Sequence, residues 1–196
     1  MVRITGHKIN RKAIEKSIGK TRAFQSKALA EANKKMMLAK RNLINEFNNH
    51  AVTRELENGS GGSNISGSLD GYGNLFSFMG FSGSGHPTEL VRKFLQSFIK
   101  ITPGGRAGSA VSKDFFVKIP TLRDFDFAKM PWEGGNSWVG AVEKGISSFS
   151  YYMHKAHESS RAGVGIQIDN KLRGKSSKPI QYMTQILDNF RRRLSK

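Results

Sequence analysis

Hydrophobic positions follow helical spacing near both ends of the chain and form shorter, mixed runs between them. From about Lys8 to Asn49 there is no proline and one glycine, Gly19. Leu29, Ala32, Met36, Ala39, Leu43 and Phe47 recur every three or four residues, the apolar stripe of an amphipathic helix. Ile14, Ile18, Phe24 and Ala28 extend an apolar face upstream, with a break or bend predicted at Gly19 and Thr21. A helix from Phe24 to Phe47 would be about 35 Å long at 1.5 Å per residue. Lys27, Lys34, Lys35, Lys40 and Arg41 crowd its other face. The stripe reads as core-facing, because its spacing does not persist long enough for a coiled coil.

A second helix is predicted from Pro87, with Leu90, Val91, Phe94, Leu95, Phe98 and Ile99 on one face and Thr102-Pro103-Gly104-Gly105 stopping it. Leu75–Phe81, Phe115–Pro120 and Gly163–Ile168 read as strands, and Ser137–Glu143 fits either a strand or a helical turn. A last helix is predicted to start at Pro179, with Ile180, Met183, Ile186, Leu187 and Phe190 along one face. Arg191, Arg192 and Arg193 sit at the end where the helix dipole favours cations. The expected fold is therefore α+β: a long N-terminal helix, a small mostly antiparallel sheet with a packed helix, and a C-terminal helix. One structural domain is expected, with a basic helical region over 1–58, a glycine-rich arm and strand over 59–81, and an α+β body over 82–196. The segment Gly59 to Gly73 contains six glycines, the composition of a flexible linker. A linker has no need of Ile65, Leu69 and Tyr72, so an ordered interaction arm is expected, one whose removal leaves the subunit folded.

Charge changes the picture. Thirty-two basic against fifteen acidic residues give +17. Residues 1–58 carry +8, residues 59–169 only +2, and residues 170–196 carry +7. Such basic ends suit either a polyanion, through counterion release from phosphates, or acidic neighbouring subunits in an assembly. No cysteine is present, which excludes a disulfide scaffold, a Cys-ligated zinc site, an iron–sulfur cluster and a thiol nucleophile. No apolar run approaches the roughly 20 residues that cross a bilayer, and the N-terminal residues have no apolar signal core. The expectation is a chain that stays in a cytoplasm, without a membrane partner.

Candidate chemistry is sparse. No phosphate-binding P-loop, complete dinucleotide fingerprint, nucleophile elbow or zinc-protease motif occurs. His154 and His157 would share a helix face, but two ligands without a third make a weak metal signal. Asp124, Asp126 and Glu133 read as solvated positions beside Phe125, Phe127 and Trp132. No catalytic residue, metal site or cofactor is expected, and the chain is not expected to be an enzyme.

Two blocks of residues carry a family resemblance. The first is Glu55-Leu56-Glu57-Asn58-Gly59, Asn64 to Leu69, and Gly71 to Phe81. The second is Pro131-Trp132-Glu133, Ser137-Trp138, Glu143 to Ser147 and Ser159 to Gln167. Together they resemble virion proteins of tailed bacteriophages, chiefly those with contractile tails. The plan of basic helix, small sheet with a Val142-Glu143-Lys144-Gly145 strand, and Pro179-Ile180-Gln181-Tyr182 entry into the last helix looks like tail-completion (neck) proteins. The glycine-rich insertion departs from that pattern. The resemblance implies a non-catalytic, ring-forming head–tail connector in the virion neck, made in the host cytoplasm. Its implied partners are itself, other neck, portal-adaptor, tail-terminator or tail proteins, and the genomic DNA passing through the channel. Natural interface anchors would be Ile65, Leu69, Tyr72, Phe76, Phe78, Phe81, Trp132, Trp138, Tyr151 and Tyr152. Lys34, Lys35, Lys40, Arg41, Arg191, Arg192 and Arg193 would be the basic contacts. The alternative is a cytoplasmic nucleic-acid-binding accessory protein using its basic termini.

Overall fold

The expected break in the N-terminal helix falls at Thr21. Its hydroxyl donates to the Ile18 carbonyl at 2.7 Å and accepts from the Phe24 N–H at 3.3 Å. One residue thus closes helix α1 (Arg11–Lys20) and caps α2 (Arg22–Asn49). A computed structural model describes residues 11–70, 73–81, 86–106, 113–131, 133–146 and 177–195. The chain divides into two units, residues 1–38 with 100–118 and residues 39–99 with 119–196.

The smaller unit holds α1, the first part of α2 and a hairpin. In it β1 (Lys100–Arg106) pairs antiparallel with β2 (Lys113–Lys118) in the register Lys100↔Lys118, Thr102↔Phe116. The Thr102-Pro103-Gly104-Gly105 run, expected to stop the helix before it, is itself part of a strand. Proline fits because the ribbon has only two strands and its register slips after Pro103. Gly104 is required there, since a Cβ would lie 2.7 Å from the Asp114 carbonyl oxygen.

The larger unit is mostly helical. It contains the rest of α2, then α3 (Ala51–Glu57), α4 (Leu75–Phe78), α5 (Pro87–Phe98), a short ribbon of β3 (Lys129–Met130) and β4 (Glu133–Ser137), α6 (Trp138–Lys144) and α7 (Met183–Ser195). Helices with short antiparallel ribbons make the fold α+β, as expected. Leu43, Phe47, Val52, Leu56, Val91, Leu95, Trp138, Val139, Ile186 and Phe190 are buried. The Tyr182 ring stacks 6.1 Å from both Phe47 and Trp138. Its hydroxyl shares a buried 2.7 Å hydrogen bond with Thr53, so the phenol oxygen does not enter the core unpaired. Arg92 of α5 ties to α3 and α2, pairing with Glu57 and donating to the Asn48 Oδ1 at 2.9 Å.

Three expected elements differ. Leu75–Phe78 is a helical turn rather than a strand: the Asn74 side chain accepts the Ser77 N–H at 2.9 Å, and Leu75, Phe76 and Phe78 are all buried. The last helix begins at Met183 rather than Pro179. Before it, the N–H groups of Ser177, Lys178 and Ile180 are committed to carbonyls of Ile146, Ser68 and Val142 at 2.8, 2.8 and 3.1 Å. Glu143 of α6 then caps α7 from outside, accepting the Thr184 N–H at 2.6 Å and the Thr184 hydroxyl at 2.7 Å. The strand that the resemblance places at Val142-Glu143-Lys144-Gly145 is instead the end of α6, and Ser137–Glu143 takes its helical alternative from Trp138 on. The expected strand over Gly163–Ile168 lies outside the described residues.

His50 joins this junction to α3. Its Nδ1 accepts the Val52 N–H at 3.3 Å as the helix cap, its ring lies 4.7 Å from that of Tyr182, and it hydrogen-bonds the Gln181 backbone. Burial pushes the imidazole below its ordinary value, against smaller upward effects of the Gln181 bond and Glu143. The unfolded chain, near 6.5, then holds the proton more tightly than the folded one. Stability is full above about pH 6.5 and falls as pH drops through the folded-state value. His50→Asn keeps a cap acceptor without titrating. Urea midpoints between about pH 7 and 5 should fall less steeply for this variant than for the parent; parallel slopes would remove His50 from the acid response.

Candidate functional site

The glycine-rich segment closes on a single carboxylate. Helix α3 turns Val52, Thr53, Glu55 and Leu56 inward, so Glu55 is fully buried and its oxygens must find donors. Oε1 accepts the Leu75 N–H at 2.7 Å and the Asn64 Nδ2 at 2.8 Å, while Oε2 accepts the Ser66 N–H at 2.9 Å. The donors come from both sides of the loop, so the carboxylate staples residues 64–66 to the start of α4.

Two asparagines propagate the order. Asn64 Oδ1 accepts the Leu69 N–H at 3.0 Å, and its amide lies 3.1 Å from the Ser68 hydroxyl. Asn74 donates to the carbonyls of Ser60 and Gly62 at 2.9 and 2.8 Å. Gly67 sits at φ 69°, a conformation in which a side chain would be strained. Lys178 pairs with Asp70 and donates its N–H to Ser68. The outcome is a loop bonded to the larger unit, with Leu69 buried and Ile65 exposed at 42%.

Of the expected anchors, Leu69, Phe76, Phe78 and Trp138 are core residues, each less than 5% exposed. A small core takes the largest apolar side chains available, and these four supply it. Phe81 is half-buried, its ring 5.6 Å from that of Phe76. Ile65 faces outward. Tyr72, Trp132, Tyr151 and Tyr152, with His154 and His157, lie outside the described residues.

The basic set divides similarly. Lys34, Lys35, Arg41, Arg191 and Arg192 are exposed. Lys40 instead reaches the carbonyls of Gln96 and Ile99 at the end of α5, where the helix dipole favours a cation. Arg193 pairs with Glu46, and Arg191 bonds Asp188 at 2.6 Å.

Exposed apolar residues appear where none was assigned to an interface: Ile14, Ile18, Leu29, Met37, Leu38, Leu90, Phe116 and Phe127. Part of this is visible in sequence. Met37 and Leu38 are rotated about 100° and 200° from the Met36 stripe, and the neighbours Phe115 and Phe116 must point to opposite faces of a strand. Among the described residues no group of three His, Asp or Glu is placed to hold a metal, and no helix is long and apolar enough to cross a membrane.

In comparison with known proteins, no family model, curated protein or solved structure matches the chain.

The Glu55 clasp makes a direct expectation. In Glu55→Gln the amide nitrogen must face one of the loop N–H donors, leaving a buried donor unsatisfied at about 1–3 kcal/mol. The urea midpoint should fall accordingly, and amide exchange should accelerate at Ser66 and Leu75 before it does in α3. Unchanged protection at both amides would mean that the carboxylate does not hold the loop.

Proposed function

We propose that the chain is a non-catalytic structural subunit of a tailed-bacteriophage neck, forming a ring around the DNA channel and joining head and portal adaptor to the tail. The observation that carries this reading is the ordered glycine-rich loop. The residues behind the phage resemblance, Glu55, Asn64, Ser66, Ser68, Leu69, Asn74 and Leu75, are those that build the clasp and present Ile65. A spacer needs no buried carboxylate and no network of side-chain bonds. A contact surface gains from both, because a preformed loop loses less entropy on binding.

Mass spectrometry of purified particles tests the location: the chain should be present in a fixed, ring-compatible copy number, and its absence would sink the proposal. Deleting the loop is a poor functional test, contrary to the expectation from sequence, because deletion strips Glu55 of its donors and removes buried Leu69. Ile65→Asp is the better one. It should leave the urea midpoint within about 0.5 kcal/mol of the parent, as surface changes do, while heads and tails accumulate unjoined. Normal joining with this variant would place the contact elsewhere.

A further inference from the structure

The two units differ sharply in charge and core. Residues 1–38 and 100–118 carry 14 basic and 3 acidic side chains, so 57 of 196 residues hold +11 of the total +17. Lys20, Arg22, Lys27, Lys34, Lys35, Lys100 and Lys118 are exposed. The same unit exposes Ile14 and Ile18 on α1, Leu29, Met37 and Leu38 on α2, and Phe116 on the hairpin, the last three at 72, 61 and 64%. Met36 is its one large apolar side chain that is fully covered among the described residues.

We propose that this unit is a docking surface for an acidic protein segment that also carries apolar side chains. Charge selects an anion, and the apolar residues select its kind. Leu29, Met37 and Leu38 are all exposed, and Leu29 and Leu38, nine residues apart, lie about 180° from each other around the helix. A bilayer surface or a DNA duplex lies against one side of a helix, and an interfacial helix gathers its apolar residues on that side. A polypeptide can wrap the helix and cover Met37 and Leu38 together. Phosphates offer nothing to Ile14, Ile18 or Leu38, whereas apolar side chains bury them. A second copy fits poorly, because its acids are interleaved with bases: Glu89 is paired with Lys93, and Asp124 and Asp126 lie between Arg123 and Lys129. The inference names a partner chemistry for the assembly reading but is measured on the isolated chain, so absence from particles would defeat that reading and leave this one standing.

The test uses the purified full chain and four probes: poly-glutamate, a glutamate–tyrosine copolymer, duplex DNA, and phosphatidylcholine–phosphatidylglycerol vesicles. The copolymer should bind on the order of tenfold more tightly than poly-glutamate, as burial of one or two side chains would give. Met37→Ser with Leu38→Ser should abolish that excess and leave poly-glutamate binding unchanged. Leu90→Ser, equally exposed on the other unit, should do neither. Equal affinity for the two polymers would overturn the proposal. So would DNA or vesicle binding, or self-association by light scattering, that the Met37/Leu38 double variant weakens and the Leu90 variant does not.

Discussion

A carboxylate buried without a solvent shell is the constraint on which the larger unit depends. Ionised Glu55 can only accept hydrogen bonds, and it has a place in the interior only while three N–H groups converge on it. Two of these belong to residues 64–66 and one to Leu75, so the loop between them has little choice of path. Gly67 and Gly73 take positive φ, Asn64 and Asn74 bond backbone groups of the loop, and Leu69 fixes its far side in the core. A segment whose composition is that of a spacer is thereby made part of the fold.

The C-terminal helix is held by the same kind of bond, a carboxylate reaching across sequence to orphan N–H groups. Glu143 caps α7 from α6, and the strand-like lead-in at 177–180 uses its N–H groups on Ile146, Ser68 and Val142. That lead-in touches both the loop, through Ser68, and α6. Tyr182 follows, wedged among Phe47, His50 and Trp138 with its hydroxyl on Thr53. Loop, α3, α6 and α7 thus share partners, and a change at one of these joints is felt at the others.

The long helices and the α+β class were legible because periodicity over ten or more residues outweighs local ambiguity. Thr21 as a break and Pro87 as a start followed from backbone chemistry alone. Shorter elements were not legible. Leu75–Phe81 has the apolar content of a strand, and only the Asn74 cap and the donor role of Leu75 toward Glu55, twenty residues away, make it a helical turn. Pro179 carries a good helix-start signal, but tertiary hydrogen bonds commit its neighbours elsewhere and delay the helix to Met183. Four of the candidate anchors, Leu69, Phe76, Phe78 and Trp138, lie in the core for a related reason. Aromatic residues serve cores and interfaces alike, and nothing local in Phe76, Phe78 or Trp138 tells which. Glu55 was quoted within a motif yet not singled out, because its importance lies in being buried, which the sequence around it does not announce.

Charge bears on what the chain presents to its surroundings through what is left over after internal pairing. In the larger unit the acids are largely engaged within the fold: Glu46 with Arg193, Glu57 with Arg92, Asp70 with Lys178, Asp188 with Arg191, Glu55 and Glu143 with N–H groups. Exposed pairs of this sort each contribute only about 0–1 kcal/mol, but they determine which charges face outward. The smaller unit has three acids for fourteen bases, so pairing within it leaves most of its cations uncompensated. Like charges repel one another, most strongly in the unit that holds +11 over 57 residues. An external anion would relieve that repulsion, and Met37, Leu38 and Phe116 offer apolar surface in the same unit. Among the described residues, the unit with the fewest buried apolar side chains is thus also the one with the largest excess of positive charge.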